Sequence, residues 1–183
     1  MTTEIFGRGL PMTEQEFLAL EPTSERIELF DGSLFVTPAP TPRHQIISRR
    51  LANVLDTSED HCVVEAVNVR LRSGRIPIPD LVVATMIDID ELIIDADHVR
   101  LVCQIASPSN AAADKVLKMH YYAAAGIPWY LIVDPPTRTI HLFELVGDTY
   151  QERSVTRAGE VLRLTEPVEA VIAPADLLPP AVS

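Results

Sequence analysis

Glu28, Asp80, Gln104 and Lys118 are polar residues set in or beside apolar runs: RIELF, IPIPDLVV, LVCQIAS and DKVLKMHYY. Carboxylates on neighbouring strand ends, with an amine at hand, are what metal-assisted phosphoryl chemistry requires. Mg²⁺ takes hard oxygen ligands in an octahedron and keeps waters, one of which can become the nucleophile. A lysine beside that water can orient it, or offset the charge that builds on the phosphate. Gln104 is the sharpest of the four signals. An amide in a buried strand is costly unless its donors and acceptor find partners.

The other three each have an ordinary explanation as well. Asp80 follows Pro79 and suits a turn. Glu28 suits a cross-strand surface charge. Lys118 lies one helical turn after Asp114 and suits a surface ion pair. His44, after Pro42-Arg43, suits a helix start, or else a phosphate contact or proton carrier whose charge changes near neutral pH. A Ser-His-Asp hydrolase built from Ser107 or Ser109, His44 and Asp80 is a further arrangement. No G-x-S-x-G elbow supports it, and SPSN reads more simply as a helix cap.

The elements that carry these residues follow from local pattern. MTEQEFLAL places Thr13 before Glu16 as a capping box at the start of a short helix. RIELFDGSLFVTP sets Asp31-Gly32 between two apolar-rich runs, a hairpin signal, with Glu28 and Phe30 on one face and Ile27 and Leu29 on the other. PTPRHQIISRRLANVLDTSE reads as a helix with Ile46, Ile47, Leu51, Val54 and Leu55 as its apolar stripe, and Arg49 and Arg50 towards its outer faces. CVVEAVNVRLRSG reads as one strand, SGR as a turn, and IPIPDLVVAT as a second strand whose prolines suit an edge or a strand start. DIDELIIDADH reads as a short acidic helix or loop over the sheet. VRLVCQIAS and IPWYLIVDP are continuous apolar strands of the buried kind. The helix between them runs from a cap at Ser109 or Asn110 to a stop at Gly126. TRTIHLFEL and TYQERSVT form an antiparallel tail, and the proline-rich end lies over the body as loop and short strand. The sum is α/β with a mixed central sheet.

Bulk properties narrow the setting. With 183 residues and 47% hydrophobic content the chain is most simply one domain, 1–183, with 1–11 and 179–183 as loose termini. Its apolar runs fall well short of the roughly 20 residues of a membrane span. The N-terminus lacks the pattern of a signal peptide, so a cytoplasmic protein is expected. Cys62 and Cys103 are expected as buried thiols, neither disulfide nor zinc site. A net charge of −11 argues against nonspecific coating of nucleic acid. The charge is uneven, however. Arg43, Arg49, Arg50, Arg70, Arg72 and Arg75 share one third of the chain, and Asp88, Asp90, Glu91, Asp95 and Asp97 crowd the next segment. Two solvated faces, or a local basic surface beside an acidic one, both fit.

Taken in order, MTEQEFLAL, IELFDGSL, PAPTPRHQIISRRL, IPIPDLVV, LVCQIASPSN and DKVLKMHYYAAAGIPWYLIVDP resemble the Uma-two family of restriction-endonuclease-like proteins, within the PD-(D/E)XK nuclease-like group. The likeness runs from about Met12 to Leu178, and the IELFDG hairpin, the SPS step and AGIPWYLIVDP are its most specific parts. It implies a mixed β-sheet flanked by α-helices, with an N-terminal helix and hairpin and a site at one edge. The activity implied is Mg²⁺- or Mn²⁺-dependent hydrolysis of DNA phosphodiesters.

By the same resemblance, Asp80 matches the first metal-binding carboxylate and Glu28 the extra acid of the hairpin. Gln104 stands where the family usually has glutamate. Ala106 stands where the lysine of PD-(D/E)XK enzymes normally falls, and Lys118 on the following helix takes its place. His44 matches a histidine after the proline-rich turn, and Arg43, Arg49 and Arg50 are candidate phosphate contacts at the rim. An amide in place of a carboxylate removes one of the charges that hold a cation, so weak metal affinity is expected. The alternative is a catalytically weakened or inactive binding or assembly protein on the same scaffold, its pocket tied by a Gln104–Asp80 or Asp114–Lys118 hydrogen bond. A homodimer is expected, because duplex cleavage commonly needs two sites and TRTIHLFEL could pair as an apolar edge. No appended helix-turn-helix or zinc module is visible, so specificity falls to the loops of the core fold.

Overall fold

The computed structural model describes residues 3–4, 11–21, 25–106 and 112–178, without the side chains of 3–4 and 112–115. Thr13 and Glu16 form the expected reciprocal capping box on α1 (Glu14–Leu18). Strands β2 (Arg26–Phe30) and β3 (Ser33–Thr37) close on Asp31-Gly32, whose φ angles are 50° and 91°. Two positive φ values in a two-residue loop match the twist of a hairpin. Gly32 is also required sterically, because an added Cβ would fall 2.4 Å from the Pro11 Cβ. Short strands β1 (Thr3–Glu4) and β6 (Arg75–Ile76) extend this hairpin to four strands in the order β1-β3-β2-β6. The amino end is therefore tied to the hairpin at Thr3–Glu4, and not loose throughout.

The larger sheet has the order β12-β11-β10-β9-β7-β4. Its strands are β4 (Cys62–Glu65), β7 (Leu81–Ala84), β9 (Val99–Ile105), β10 (Trp129–Asp134), β11 (Thr139–Val146) and β12 (Thr149–Thr156). Its parallel pair, β9–β10, is joined by the crossover helix α3 (Ala112–Ala124). Both strands are interior and covered on both faces, which explains their unbroken apolar sequences. Odd-numbered residues of β9, Leu101 and Cys103, pack with Ile47, Leu51 and Leu55 of α2 (Pro42–Leu55). Its even-numbered residue Val102 packs with Tyr122 and Tyr130 on the α3 side. Helices on both faces of a mixed sheet are the expected α/β architecture. α3 ends as the glycine predicts. Gly126 takes φ 77°, and the Gly126 and Ile127 N–H groups bond back to the Ala123 and Tyr122 carbonyls.

Two short pairs complete the fold: β5 (Asn68–Arg70) with β8 (Ile93–Asp95), and β13 (Leu162–Leu164) with β14 (Ala170–Ile172), followed by α4 (Pro174–Leu177). Several expectations need correction. CVVEAVNVRLRSG is not one strand: Ala66 takes φ 53°, its N–H bonds the Asp80 carbonyl, and β4 and β5 join different sheets. A tertiary bond, invisible to local pattern, sets that break. IPIPDLVVAT is not one strand: Ile76 belongs to β6, and the chain enters the larger sheet only at Leu81, past the prolines. The acidic stretch holds β8 and a 3₁₀ turn at Ala96–His98. Cys62 is exposed on edge strand β4, and Cys103 alone of the two cysteines is buried. TRTIHLFEL is inner strand β11, hydrogen-bonded on both sides, and not an edge. The SPSN cap and the carboxyl terminus from 179 lie outside the described residues. No described helix is long and apolar enough to cross a membrane.

Candidate active site

Asp80 ends the extended IPIP segment immediately before β7 and is only 5% exposed. Its Oδ1 accepts from Arg26 Nη1 at 2.8 Å, and its Oδ2 accepts from the Ile105 N–H at 2.7 Å and lies 3.3 Å from His44 Nε2. Arg26 also donates to the Ile78 carbonyl, tying β2 to the same segment. Burial is the largest influence on the Asp80 carboxyl and pushes its pKa up. The contacts with His44, Arg26 and Ile105 together outweigh burial, so Asp80 titrates below the ordinary aspartate range. It is a held carboxylate, not a turn residue in solvent.

Glu28 is 1% exposed, so it is not a surface charge. Its Oε1 accepts from the Ile78 N–H at 2.7 Å, and Lys118 Nζ donates to both of its oxygens at 3.0 and 2.8 Å. Lys118 therefore reaches across to the hairpin; the Asp114 side chain lies outside the described residues. Gln104 extends from the β9 face covered by α3, and its Nε2 donates to the Tyr122 hydroxyl at 3.2 Å. The expected Gln104–Asp80 bond is not made, because Asp80 is served by Arg26, His44 and a backbone N–H.

These side chains line one pocket of about 400 Å³. Glu28 comes from β2, Asp80 from the approach to β7, Gln104 from β9, Lys118 from α3 and His44 from the first turn of α2. The segment Thr37–Thr41 and Pro135–Pro136 form its walls, and Ala106 leaves the usual lysine position without an amine. Arg43 also lines the pocket. Arg49 and Arg50 do not: Arg49 is exposed elsewhere on α2, and Arg50 donates to the Asp176 and Leu178 carbonyls at 2.7 and 3.0 Å. His44 and Asp80 meet as a hydrolase would need, but Ser107 and Ser109 lie outside the described residues.

Arg26 and Tyr122 were missed by the sequence reading. Arg26 lies two residues before Glu28, on the same face of a strand, and Tyr122 lies one turn beyond Lys118 on the same face of a helix. Those spacings were the available signals. Among the described residues, no three His, Cys, Asp or Glu side chains gather into a metal cage. The lining includes two carboxylates and one amide, whose oxygens are hard donors of the kind Mg²⁺ and Mn²⁺ take. Donor type fits a divalent cation. The charge fits less generously, since Arg26 and Lys118 already balance Asp80 and Glu28.

Comparison with known proteins gives the family and the fold. Residues 14–176 match a family model, Uma2, described as "Putative restriction endonuclease". The fold is similar to the crystal structure of a putative nuclease belonging to DUF820 from Anabaena variabilis. The TM-score is 0.73 at 17% identity, covering 91% of this chain and 97% of that one. A search among curated proteins finds no match.

Proposed function

The chain belongs to the Uma2 family of putative restriction endonucleases, and from that premise we propose that it hydrolyses phosphodiester bonds in DNA with the help of Mg²⁺ or Mn²⁺. The observation that supports this is convergence: Glu28, Asp80, Gln104 and Lys118 arrive at one pocket from different elements. Asp80, Glu28 and the Gln104 side-chain oxygen would hold the cation, which when bound supplies a polarised phosphoryl oxygen and an acidified water. Arg26 and the Ile105 N–H fix the Asp80 carboxylate in place. Lys118, drawn off Glu28, carries its charge to the attacking water or to the oxygens where negative charge builds. Arg43 and His44 open α2 at the pocket, where a helix start favours a phosphate.

The test is metal-dependent cleavage of plasmid and single-stranded DNA by the native protein, Asp80→Ala and Gln104→Glu. The expected result is slow cutting by the native protein, none by Asp80→Ala and faster cutting by Gln104→Glu. Cleavage retained in Asp80→Ala with an unchanged metal requirement would remove the assignment. A second reading, a catalytically inactive binding module, is favoured by the amide at Gln104 and by the charge balance in the pocket. Cutting by Gln104→Glu and by neither other protein would establish it. A homodimer that cuts both strands of a duplex would have to form through surfaces other than β11, whose edges are both taken.

A further inference from the structure

Tyr122 is fully buried, one turn beyond Lys118 on α3, with its ring centroid 5.5 Å from that of Tyr130. Burial, joined by the nearby Glu28 charge, raises its phenol well above the ordinary tyrosine range, so the hydroxyl stays neutral. A tyrosine hydroxyl can donate or accept, and an amide can be turned end for end, so two arrangements satisfy its contact with Gln104. They differ at the far end of the amide. With the NH₂ on Tyr122, as the structure has it, the carbonyl oxygen is the end left for the pocket, which Arg26, Lys118, Asp80 and Glu28 also line. Turned the other way, the amide would offer the pocket its NH₂, which no cation takes as a ligand. The structure holds the first.

We infer that Tyr122 is a positioning residue that turns Gln104 Oε1 into the pocket, so that a neutral amide serves as the third oxygen ligand beside Glu28 and Asp80. The inference rests on the metal-dependent reading above. It explains how an amide at this position remains useful. The contact with a fully buried hydroxyl holds the side chain in one place. The same hydroxyl, by turning its hydrogen, would serve a glutamate as donor. Position 104 can therefore hold either residue on one supporting tyrosine.

The experiment follows the Gln104 side-chain amide by ¹⁵N NMR, and titrates Mn²⁺ calorimetrically, in the full chain and in Tyr122→Phe, Gln104→Leu and the double variant. Tyr122→Phe is expected to shift the Gln104 amide resonances and to weaken Mn²⁺ binding about tenfold, the scale of a lost outer-shell partner. In the Gln104→Leu background the same change should cost almost nothing further, because the effect passes through the amide. Gln104→Asn, one methylene too short for the contact, should lose Mn²⁺ affinity to the same degree without disturbing the tyrosine core. Unmoved Gln104 resonances in Tyr122→Phe, or an equal loss of affinity in both backgrounds, overturn the inference. A native chain that binds no Mn²⁺, with amide resonances that still answer to Tyr122, overturns the metal-dependent reading and leaves the orienting contact standing.

Discussion

Lys118 and the proposed divalent cation would compete for the same oxygens, because the lysine donates to both oxygens of Glu28. Lys118→Met should therefore tighten Mn²⁺ binding while lowering cleavage by about 10²-fold or more. Calorimetry and a plasmid-nicking assay read the two opposed effects, and a parallel loss of both would place Lys118 among the ligands' supports instead. Asp80 gives a pH prediction. Its folded pKa is depressed, so the stability it contributes is present above its unfolded value near 4 and is lost as pH falls through the folded value. Glu14 and Asp31, also lowered, add to the same acid limb. Asp80→Asn should be less stable at neutral pH and show a flatter decline below about pH 4 in urea titrations. Glu28, Asp80, Gln104 and Lys118 could be read from the sequence because each is a polar group in an apolar setting. Arg26 and Tyr122 were hidden, since an arginine at a strand start and a tyrosine in a helix both look ordinary until their partners are placed.

Among the elements, two glycines separate strain from crowding. At Gly126 an added Cβ meets nothing within 4 Å, and at Gly32 it meets Pro11. Gly126→Ala should cost about 1 kcal/mol, from the positive φ alone. Gly32→Ala should cost roughly 2–3 kcal/mol, since the overlap with Pro11 is added. Urea unfolding distinguishes them, and equal costs would mean that the amino segment moves aside freely. The DG hairpin, the capping box and the β9–α3–β10 unit were legible because short-range chemistry fixes them. The break at Ala66 was not, because its positive φ is held by a bond to the Asp80 carbonyl, distant in sequence. For the same reason β11 looked like an edge: its pairing with β12 was readable, but the pairing of its other side with β10 was not.

Over the whole molecule, the arginine-rich third is largely spent within the fold. Arg70 pairs with Glu14 and Asp95, Arg72 and Arg75 pair with Asp31, and Arg50 serves backbone carbonyls. Of the two readings of that charge, the local basic surface is thereby reduced, and Arg43 remains exposed at the pocket. DNA binding, followed by fluorescence anisotropy, should fall with salt on a shallow logarithmic slope of about −1 to −3, where a protein contacting many phosphates would approach −6 to −9. A steep slope would locate the contacts elsewhere. The charge balance inside the pocket has its own result. Arg26 and Lys118 are built-in counterions, so the centre requires no imported ion to stay folded, and EDTA should leave Tm within about 1 °C. In a protein whose ion holds the fold together, loss of the ion site is punished at once by unfolding. Here a copy that lost the proposed cleavage would keep its shape and its abundance. It would survive as raw material for natural selection, ready to be recruited to a different task.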